Sequence, residues 1–232
     1  MSIITRKNFP TVSYVQIEDT ALNCGKILSN YYGNPSAKIN VVGVTGTNGK
    51  TTTATLLYKL FMQLGHKSGL LSTVIYCVNK KEYPATHTTP DTISLFAMLA
   101  EMVKYGCEYC FMEVSSHAIH QNRVSGIDFK GMIFTNITHD HLDYHKTFDE
   151  YLRVKKSAFD KLNKNAFALS NIDDKNGKVI LQNTKASKNT FSLKSVSDFK
   201  CRIIESSMSG MVLNIDGTEV STPFIGDFNA CN

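Results

Sequence analysis

Residues 39–52 read INVVGVTGTNGKTT, an apolar run that leads into a glycine-rich turn and then into a helical pattern. The run over residues 39–44 predicts a buried strand, and the amphipathic stretch over residues 50–64, stopped by Gly65, predicts a helix. A glycine-rich turn between a strand and a helix points backbone N–H groups at one spot, which favours phosphate binding. Apolar runs and helical stretches alternate further along the chain, which predicts an α/β fold with a P-loop-containing, mostly parallel sheet flanked by helices.

Two later helices have recognisable starts. Thr89 is predicted to cap one helix, with Pro90 at its first position. The capping box of Thr147 and Glu150 is predicted to open another. Further apolar runs predict strands over residues 109–114, 132–136 and 166–170.

The two ends of the chain differ from its middle. After about Gly177, short alternating stretches and an Asp-Gly pair at residues 216–217 predict a small β-rich annex near the C-terminus. Before Ser36, a strand-like piece over residues 14–17 and a short helix ending near Gly33 are too small for a separate domain.

The composition limits the class of protein. The 232 residues are 42% hydrophobic and 19% charged, which suits one sizeable globular domain or one domain plus pieces of neighbours. The chain shows no secretory signal and no apolar run near the ~18 residues of a membrane span, so we expect a cytoplasmic protein. The net charge of +5 comes without a basic block, which argues against nucleic-acid and membrane partners.

Lys50 and the two threonines after it are the candidate nucleotide ligands. Lys50 would reach the β- and γ-phosphates, and Thr51 or Thr52 would hold Mg²⁺. The general phosphate-loop pattern requires glycine where this chain has Val44, so that template is not matched literally. A purely structural turn is the alternative, and the position of the turn between strand and helix argues against it.

Two acidic or histidine-bearing segments could bind metal. Glu113 closes a strand-like run beside the glycine-rich turn, where a carboxylate can hold Mg²⁺; otherwise it would be a solvated loop residue. The segment HDHLDYH at residues 139–145 is the densest polar cluster, and alone it resembles a binuclear metal-hydrolase site. A hydrogen-bonded loop is the alternative, which we favour for Asp143 and His145.

Lys155 falls on an apolar helical stripe, seven residues after Phe148, which is the first residue of the stripe. It could extend its amine to an edge of the core. Alternatively, burial could lower its pKa and leave a neutral amine that takes up CO₂ as a carbamate, an anion able to ligate Mg²⁺. We favour the second interpretation. The stripe consists of Phe148, Tyr151, Leu152, Phe159 and Leu162.

Four motifs together resemble the Mur ligases of peptidoglycan synthesis: GTNGKTT at residues 46–52, TTP at residues 88–90, EVSSH at residues 113–117 and NITHDHLD at residues 136–143. Within that family, EVSSHAIHQNR is most similar to the MurE subfamily, which adds the third amino acid to UDP-N-acetylmuramoyl-L-alanyl-D-glutamate. The similarity covers roughly residues 34–232, in order and without large gaps.

The resemblance implies an ATP-dependent amide ligase that works through an acyl phosphate, with Lys50 and two Mg²⁺ ions neutralising the transferred group. His139 and Asp140 receive no firm role. Among the residues that the resemblance implies for substrate binding, Arg123 is also supported by its own chemistry, because a guanidinium suits carboxylate and phosphate groups. The implied ATP-binding residues are Gly46, Thr47, Asn48, Gly49, Lys50, Thr51, Thr52, Asn136 and Asn229, with Asn136 and Asn229 near adenine. The implied Mg²⁺ ligands are Thr51, Glu113, His141 and Lys155 as its carbamate, and with Lys50 the last three form the catalytic set. The implied substrate-binding residues are Thr88, Thr89, Ser115, Gln121 and Arg123.

The implied partners are UDP-N-acetylmuramoyl-dipeptide and an amino acid, either meso-diaminopimelate or lysine, bound by a monomer. Residues 1–35 would be a remnant of the N-terminal UDP-binding domain with its linker, and residues 36–232 the central ATP-binding domain. We expect the C-terminal amino-acid-binding domain to be absent and the chain alone to form little or no product.

Three alternatives remain open at this point. A related ATP-dependent amide ligase, such as a folylpolyglutamate or cyanophycin synthetase, would have a similar loop. A metal-dependent hydrolase would use the cluster at residues 139–145, and activity without ATP would support it. A nucleotide-binding module without catalysis is the third.

Overall fold

The structure is a computed structural model that describes residues 17–138 and 142–231. Within these ranges, eleven strands form one sheet with helices on both faces. The strands are β1 (Asn40–Thr45), β2 (Ser68–Leu71), β3 (Ile75–Val78), β4 (Lys81–Pro84), β5 (Tyr109–Glu113), β6 (Phe129–Phe134), β7 (Phe167–Asn171), β8 (Ser187–Ser192), β9 (Phe199–Ser207), β10 (Gly210–Ile215) and β11 (Thr218–Thr222). The helices are α1 (Thr20–Tyr31), α2 (Lys50–Gln63), α3 (Thr92–Lys104), α4 (Ser116–His120), α5 (Leu142–His145), α6 (Phe148–Asp160) and α7 (Gly177–Ile180), with 3₁₀ turns at Pro35–Ala37 and Asp227–Cys231.

The sheet is parallel in its middle and antiparallel at its edges. Its strand order is β11-β10-β9-β8-β7-β6-β1-β5-β2-β3-β4. All pairs from β9 to β2 in this order are parallel, whereas β2-β3-β4 and β9-β10-β11 are antiparallel meanders. The predicted fold class is therefore confirmed. The β-rich annex is a continuation of the main sheet, because β9 pairs in parallel with β8.

The annex also has the predicted hairpin. Asp216 and Gly217, between β10 and β11, have φ values of 47° and 91°. Both residues thus adopt the left-handed backbone that a two-residue hairpin turn requires.

The sheet is buried on both faces because its central strands alternate between two clusters. Val41 packs in the cluster that contains residues of α3 and α6, whereas Val42 packs in the cluster that contains residues of α2. Consecutive strand residues point to opposite faces, so these continuous apolar strands need cover on both sides. Among the described residues, no helix has the length and apolar character needed to cross a bilayer.

The apolar side chains of α2 are only partly covered by the core. Leu57 and Phe61 pack against the core, while Leu60 and Leu64 are 49% and 64% exposed. The reason is that α2 packs on β1, β5 and β2, which leaves Leu60 in an open groove between α2 and strands β9–β11.

The N-cap of α3 is Asp91, so the assignment of Thr89 as the cap is wrong. The Asp91 Oδ1 atom accepts hydrogen bonds from the backbone N–H groups of Ile93 and Ser94, both at 3.0 Å. Pro90 therefore precedes the cap instead of occupying the first helical position. A carboxylate is a strong acceptor at a helix N-terminus. Because Asp91 caps the helix, the Thr89 side chain can make a different contact.

Other helix predictions are confirmed. The Thr147 hydroxyl accepts the Glu150 N–H at 3.1 Å and caps α6. Helix α1 ends at Tyr31, just before Gly33. Of the strand-like piece at residues 14–17, residues 14–16 lie outside the described residues.

Candidate nucleotide and substrate site

The glycine-rich loop between β1 and α2 lies against the segment that follows β6. A Cβ atom on Gly46 would come 1.9 Å from the Thr135 Oγ1 atom, so only glycine fits this approach. Gly49 starts α2 with φ = 86°, a conformation that favours glycine. The two glycines thus allow the backbone to form a tight turn at the carboxyl edge of the sheet, where α/β proteins bind ligands.

Asn136 secures this loop through its amide. Its Oδ1 atom accepts the Asn48 N–H at 3.0 Å, and its Nδ2 atom donates to the Asn48 carbonyl at 3.1 Å. Its own carbonyl accepts the Thr47 N–H at 2.8 Å. Asn136 therefore lies beside the predicted phosphate loop, and its contact with adenine stays a prediction.

Two lysine amines converge on one carbonyl of the loop. The Lys50 Nζ atom donates to the carbonyls of Gly46 at 3.0 Å and Thr47 at 2.8 Å. The Lys155 Nζ atom donates to the same Gly46 carbonyl at 2.9 Å. Lys155 is 1% exposed, and its amine lies 4.6 Å from the centre of the Tyr151 ring. The prediction that Lys155 is on the buried side of its helix is confirmed.

Glu113 is a fully buried carboxylate at the end of β5, next to Val44 of β1. Its Oε1 atom accepts the Thr73 N–H at 2.6 Å, and its Oε2 atom accepts the Thr73 hydroxyl at 3.2 Å. Within the described ranges, Glu113 has no salt-bridge partner. A buried carboxylate without a cationic partner is unfavourable, so its environment fits a bound divalent cation.

The rest of the predicted metal site is less completely described. His139, Asp140 and His141 lie outside the described residues, as does the side chain of Asp143. Among the residues that the structure describes, no group of three or more His, Cys, Asp or Glu side chains could hold a metal ion.

His145, the last member of the histidine segment, is fully buried. Its Nε2 atom lies 2.9 Å from the Ser116 Oγ atom, so His145 is hydrogen-bonded as expected, but it is the last residue of α5 and not part of a loop. Burial lowers the pKa of His145, and the nearby His117 and His120 lower it further.

The predicted substrate residues form a network around the end of β5. The Thr89 hydroxyl donates to the Glu113 carbonyl at 2.8 Å and accepts the Ser115 N–H at 3.0 Å. Arg123 donates through Nη1 to the Thr89 carbonyl at 3.3 Å and through Nε to the Gln121 side chain at 2.8 Å. These contacts hold the guanidinium beside the residues that end β5.

A cavity of about 300 Å³, the central cavity, joins the loop to this network. Nucleotide and substrate residues predicted at distant sequence positions therefore share one space. Seven of its lining residues were predicted: Gly46, Lys50, Thr88, Thr89, Ser115, Arg123 and Lys155. Three others were not: His87, Ser116 and His117. Sequence signals for these existed, because His87 directly precedes the TTP motif and the other two lie inside EVSSH.

Not all predicted residues line the cavity. Gln121 does not line it, but its side chain accepts a hydrogen bond from Arg123, which does. Asn229 lies in the 3₁₀ turn after β11, where its Nδ2 atom donates to the Ile225 carbonyl at 2.9 Å. Its predicted position near adenine stays a prediction.

The first strand of the parallel sheet leads through a glycine-rich loop with Lys50 into α2, and Glu113 lies on the adjacent strand. This arrangement defines a P-loop-type nucleotide-binding domain. The chain belongs to the Mur ligase family, because the Mur ligase middle domain matches residues 44–232. The family resemblance seen in the sequence is thereby confirmed.

Its relatives include enzymes named UDP-N-acetylmuramoyl-L-alanyl-D-glutamate--2,6-diaminopimelate ligase. The protein of that name from Cytophaga hutchinsonii is 56% identical over 94% of this chain and 45% of its own length. The one from Phocaeicola vulgatus is 53% identical over 95% of this chain and 46% of its own length. The chain thus spans about half the length of the curated relatives it matches.

Solved structures are similar in fold. A structure of a UDP-N-acetylmuramoyl-L-alanyl-D-glutamate--2,6-diaminopimelate ligase matches with a TM-score of 0.82 and 25% identity, over 94% of this chain and 46% of that chain. The folylpolyglutamate synthase of Mycobacterium tuberculosis, complexed with ADP, matches with a TM-score of 0.70 and 16% identity, over 91% of this chain and 56% of that chain. The second likeness concerns the fold alone.

Proposed function

We propose that this chain is the ATP-binding part of a ligase that adds the third amino acid to UDP-N-acetylmuramoyl-L-alanyl-D-glutamate. The observation that carries the proposal is the central cavity, which Lys50 of the loop lines together with Arg123 and Thr88. Amide synthesis requires a nucleotide phosphate and a substrate carboxylate to meet. The names of the relatives support this substrate and favour diaminopimelate as the incoming amino acid.

In this proposal, residues 36–232 form the central ATP-binding domain, and residues 1–35 belong to the linker and the end of a UDP-binding domain. The backbone N–H groups of residues 46–52 would bind phosphate oxygens. The Lys50 amine would exchange the carbonyls of Gly46 and Thr47 for the β- and γ-phosphates. Asn136 and Asn229 would contact adenine.

The reaction would proceed in two displacements. A substrate carboxylate oxygen attacks the γ-phosphorus, and the bond from that phosphorus to the bridging oxygen breaks, so that ADP leaves and an acyl phosphate forms. The amine of the incoming amino acid then attacks the acyl carbon, phosphate leaves with the electron pair of the C–O bond, and the nitrogen releases a proton. Lys50 would stabilise the charge that develops on the phosphoryl oxygens.

Substrate orientation would depend on other polar residues in and around the central cavity. The Arg123 guanidinium is directed by Gln121 and the Thr89 carbonyl, and it would pair with an anionic group of the substrate. Thr88 and Ser115 would supply hydroxyl groups to the same ligand, and Thr89, whose hydroxyl bonds the Glu113 carbonyl and the Ser115 N–H, would fix the position of Ser115 in the site. These residues would align the carboxylate with the γ-phosphate.

Thr51, Glu113, His141 and Lys155 as its carbamate would hold Mg²⁺, which supplies positive charge beside the phosphate oxygens. Carbamate formation adds the neutral Lys155 nitrogen to the carbon of CO₂, moves one C=O electron pair onto oxygen and releases a proton to solvent. The burial of Lys155 supports this step, because burial favours the neutral amine. The carbamate would add a second anion to the metal ligands beside Glu113's carboxylate.

The proposal is tested by calorimetric titration of Mg²⁺-ATP into the 232-residue chain and into Lys50→Ala. We expect the chain to bind and Lys50→Ala to lose binding. Lys59→Ala is the matched control, because Lys59 is an exposed lysine on the same helix. Equal ATP affinity in all three proteins, or no binding by the unaltered chain, would overturn the proposal.

A further inference from the structure

Ser116 and His145 form a buried pair in the wall of the central cavity. Ser116 is 2% exposed and His145 is fully buried. The His145 Nε2 atom lies 2.9 Å from the Ser116 Oγ atom. Ser116 is the first residue of α4 and lines the cavity together with Gly46 and Lys50.

The surroundings of the pair determine which atom donates. Burial lowers the pKa of His145, which favours the neutral imidazole. Its Nδ1 atom has no hydrogen-bond partner among the described residues. Because a buried N–H without an acceptor is rarer than a buried acceptor without a donor, we assign the proton to Nε2. Nε2–H then donates to the Ser116 oxygen.

This direction leaves the Ser116 hydroxyl hydrogen available. In the described part of the chain, the Ser116 Oγ atom has no acceptor for it, since its hydrogen bonds are to His145 alone. A serine hydroxyl that receives one hydrogen bond can donate another. Its place in the cavity wall lets it donate to a bound ligand.

His145 is also linked to the phosphate loop. Its ring packs on the Tyr151 ring with the two centres 5.2 Å apart. The Tyr151 hydroxyl lies 3.2 Å from the Thr47 Oγ1 atom. The pair is therefore linked through Tyr151 to the loop that would bind the nucleotide, and Ser116 shares the cavity with Lys50 of that loop.

We propose that the Ser116 hydroxyl donates a hydrogen bond to the terminal phosphate of a bound nucleoside triphosphate, and that His145 is the positioning residue that directs it. The inference rests on the proposed nucleotide site. Ser116 would recognise the phosphoryl group that is transferred, because it contacts the γ-phosphate and neither the base nor the inner phosphates. It would thus help to distinguish triphosphate from diphosphate.

The test compares Mg²⁺-ATP with Mg²⁺-ADP by calorimetry in the unaltered chain and in Ser116→Ala. A hydrogen bond to a charged group is worth about a 10- to 100-fold change in affinity. We expect Ser116→Ala to lose about that factor for ATP and to keep its ADP affinity. Ser170→Ala is the matched control, since Ser170 is a fully buried serine on β7 that donates to the Gly177 carbonyl.

A second pair of variants tests the role of His145. Gln can place a donor near the Nε2 position, so His145→Gln should retain most of the preference for ATP over ADP. His145→Leu should reduce that preference as Ser116→Ala does, with thermal unfolding measured to confirm that it folds.

The outcomes separate the two proposals. If the unaltered chain binds neither nucleotide, the proposed function fails, and this inference fails with it. If the chain binds both nucleotides and Ser116→Ala keeps the same ratio of ATP to ADP affinity, only the Ser116 inference is overturned.

Discussion

The Thr73 hydroxyl provides the sharpest test of the arrangement around Glu113. It donates to the Glu113 Oε2 atom at 3.2 Å, and its oxygen lies 3.1 Å from the Thr88 Oγ1 atom. Thr73 thereby joins a predicted metal ligand to a predicted substrate residue. Thr73→Val removes the hydroxyl at nearly constant shape and leaves the backbone N–H bond to Glu113 in place.

The expected effects can be estimated from these contacts. A hydrogen bond to a charged group contributes about 1.5–3 kcal/mol, and the 3.2 Å length argues for the lower end. At about 2–4 °C per kcal/mol for a chain of this size, Thr73→Val should lower the unfolding temperature by about 3–6 °C. Loss of a group that orients a metal ligand typically weakens metal affinity about 10- to 100-fold, so the Mg²⁺ concentration needed for half-maximal ATP binding should rise.

The assay is ATP titration at a series of Mg²⁺ concentrations, together with thermal unfolding without ligand. Thr73→Ser retains the hydroxyl and should restore the Mg²⁺ dependence of the unaltered chain. If Thr73→Val is less stable but has an unchanged Mg²⁺ requirement, the hydroxyl is only structural, and the reasoning about Glu113 is refuted.

Three further predictions follow from other parts of the site. Lys155 should give a carbamate carbon signal in ¹³C NMR of the chain under ¹³CO₂ at mildly alkaline pH, and a spectrum identical to that of Lys155→Met would exclude it. Gly46→Ala should destabilise the chain by about 1–3 kcal/mol and abolish ATP binding, because the added Cβ atom would approach the Thr135 Oγ1 atom to 1.9 Å. Gly65→Ala is the control and should keep ATP binding, because nothing lies within 4 Å of its Cβ position. Because the folded-state pKa of His145 is lowered, the unfolded chain binds more protons, so the free energy of unfolding should fall as the pH drops below about 6.5. Urea unfolding of His145→Gln should show a smaller loss of stability over the same pH range. Parallel pH profiles of the two proteins would contradict the lowered pKa of His145.

The features that could be predicted from sequence are those that depend on local periodicity. The buried position of Lys155 follows from its place on the stripe that contains Tyr151, and both side chains are inaccessible in the structure. The phosphate loop and the Thr147 cap are likewise encoded by neighbouring residues. Local patterns of this kind do not depend on how distant segments meet.

The missed features depend on pairs of residues that are far apart in the chain. Thr73 meets Glu113 only because β2 pairs with β5, which no local pattern indicates. Ser116 and His145 come together through the packing of separate helices. The cap of α3 was assigned wrongly because Thr89 and Asp91 are both good capping residues, and no local pattern shows that the Thr89 hydroxyl bonds the Glu113 carbonyl instead.

The central claim is that the terminal phosphate and the substrate carboxylate meet in one cavity. The most direct measurement replaces Mg²⁺ by paramagnetic Mn²⁺ with ATP and records the proton NMR line widths of UDP-N-acetylmuramoyl-L-alanyl-D-glutamate at millimolar concentration, where weak and rapidly exchanging binding suffices. We expect the D-glutamyl protons to broaden far more than the uracil protons, and the difference to disappear in Lys50→Ala. Equal broadening of all protons, or none beyond that of free Mn²⁺-ATP, would contradict the claim.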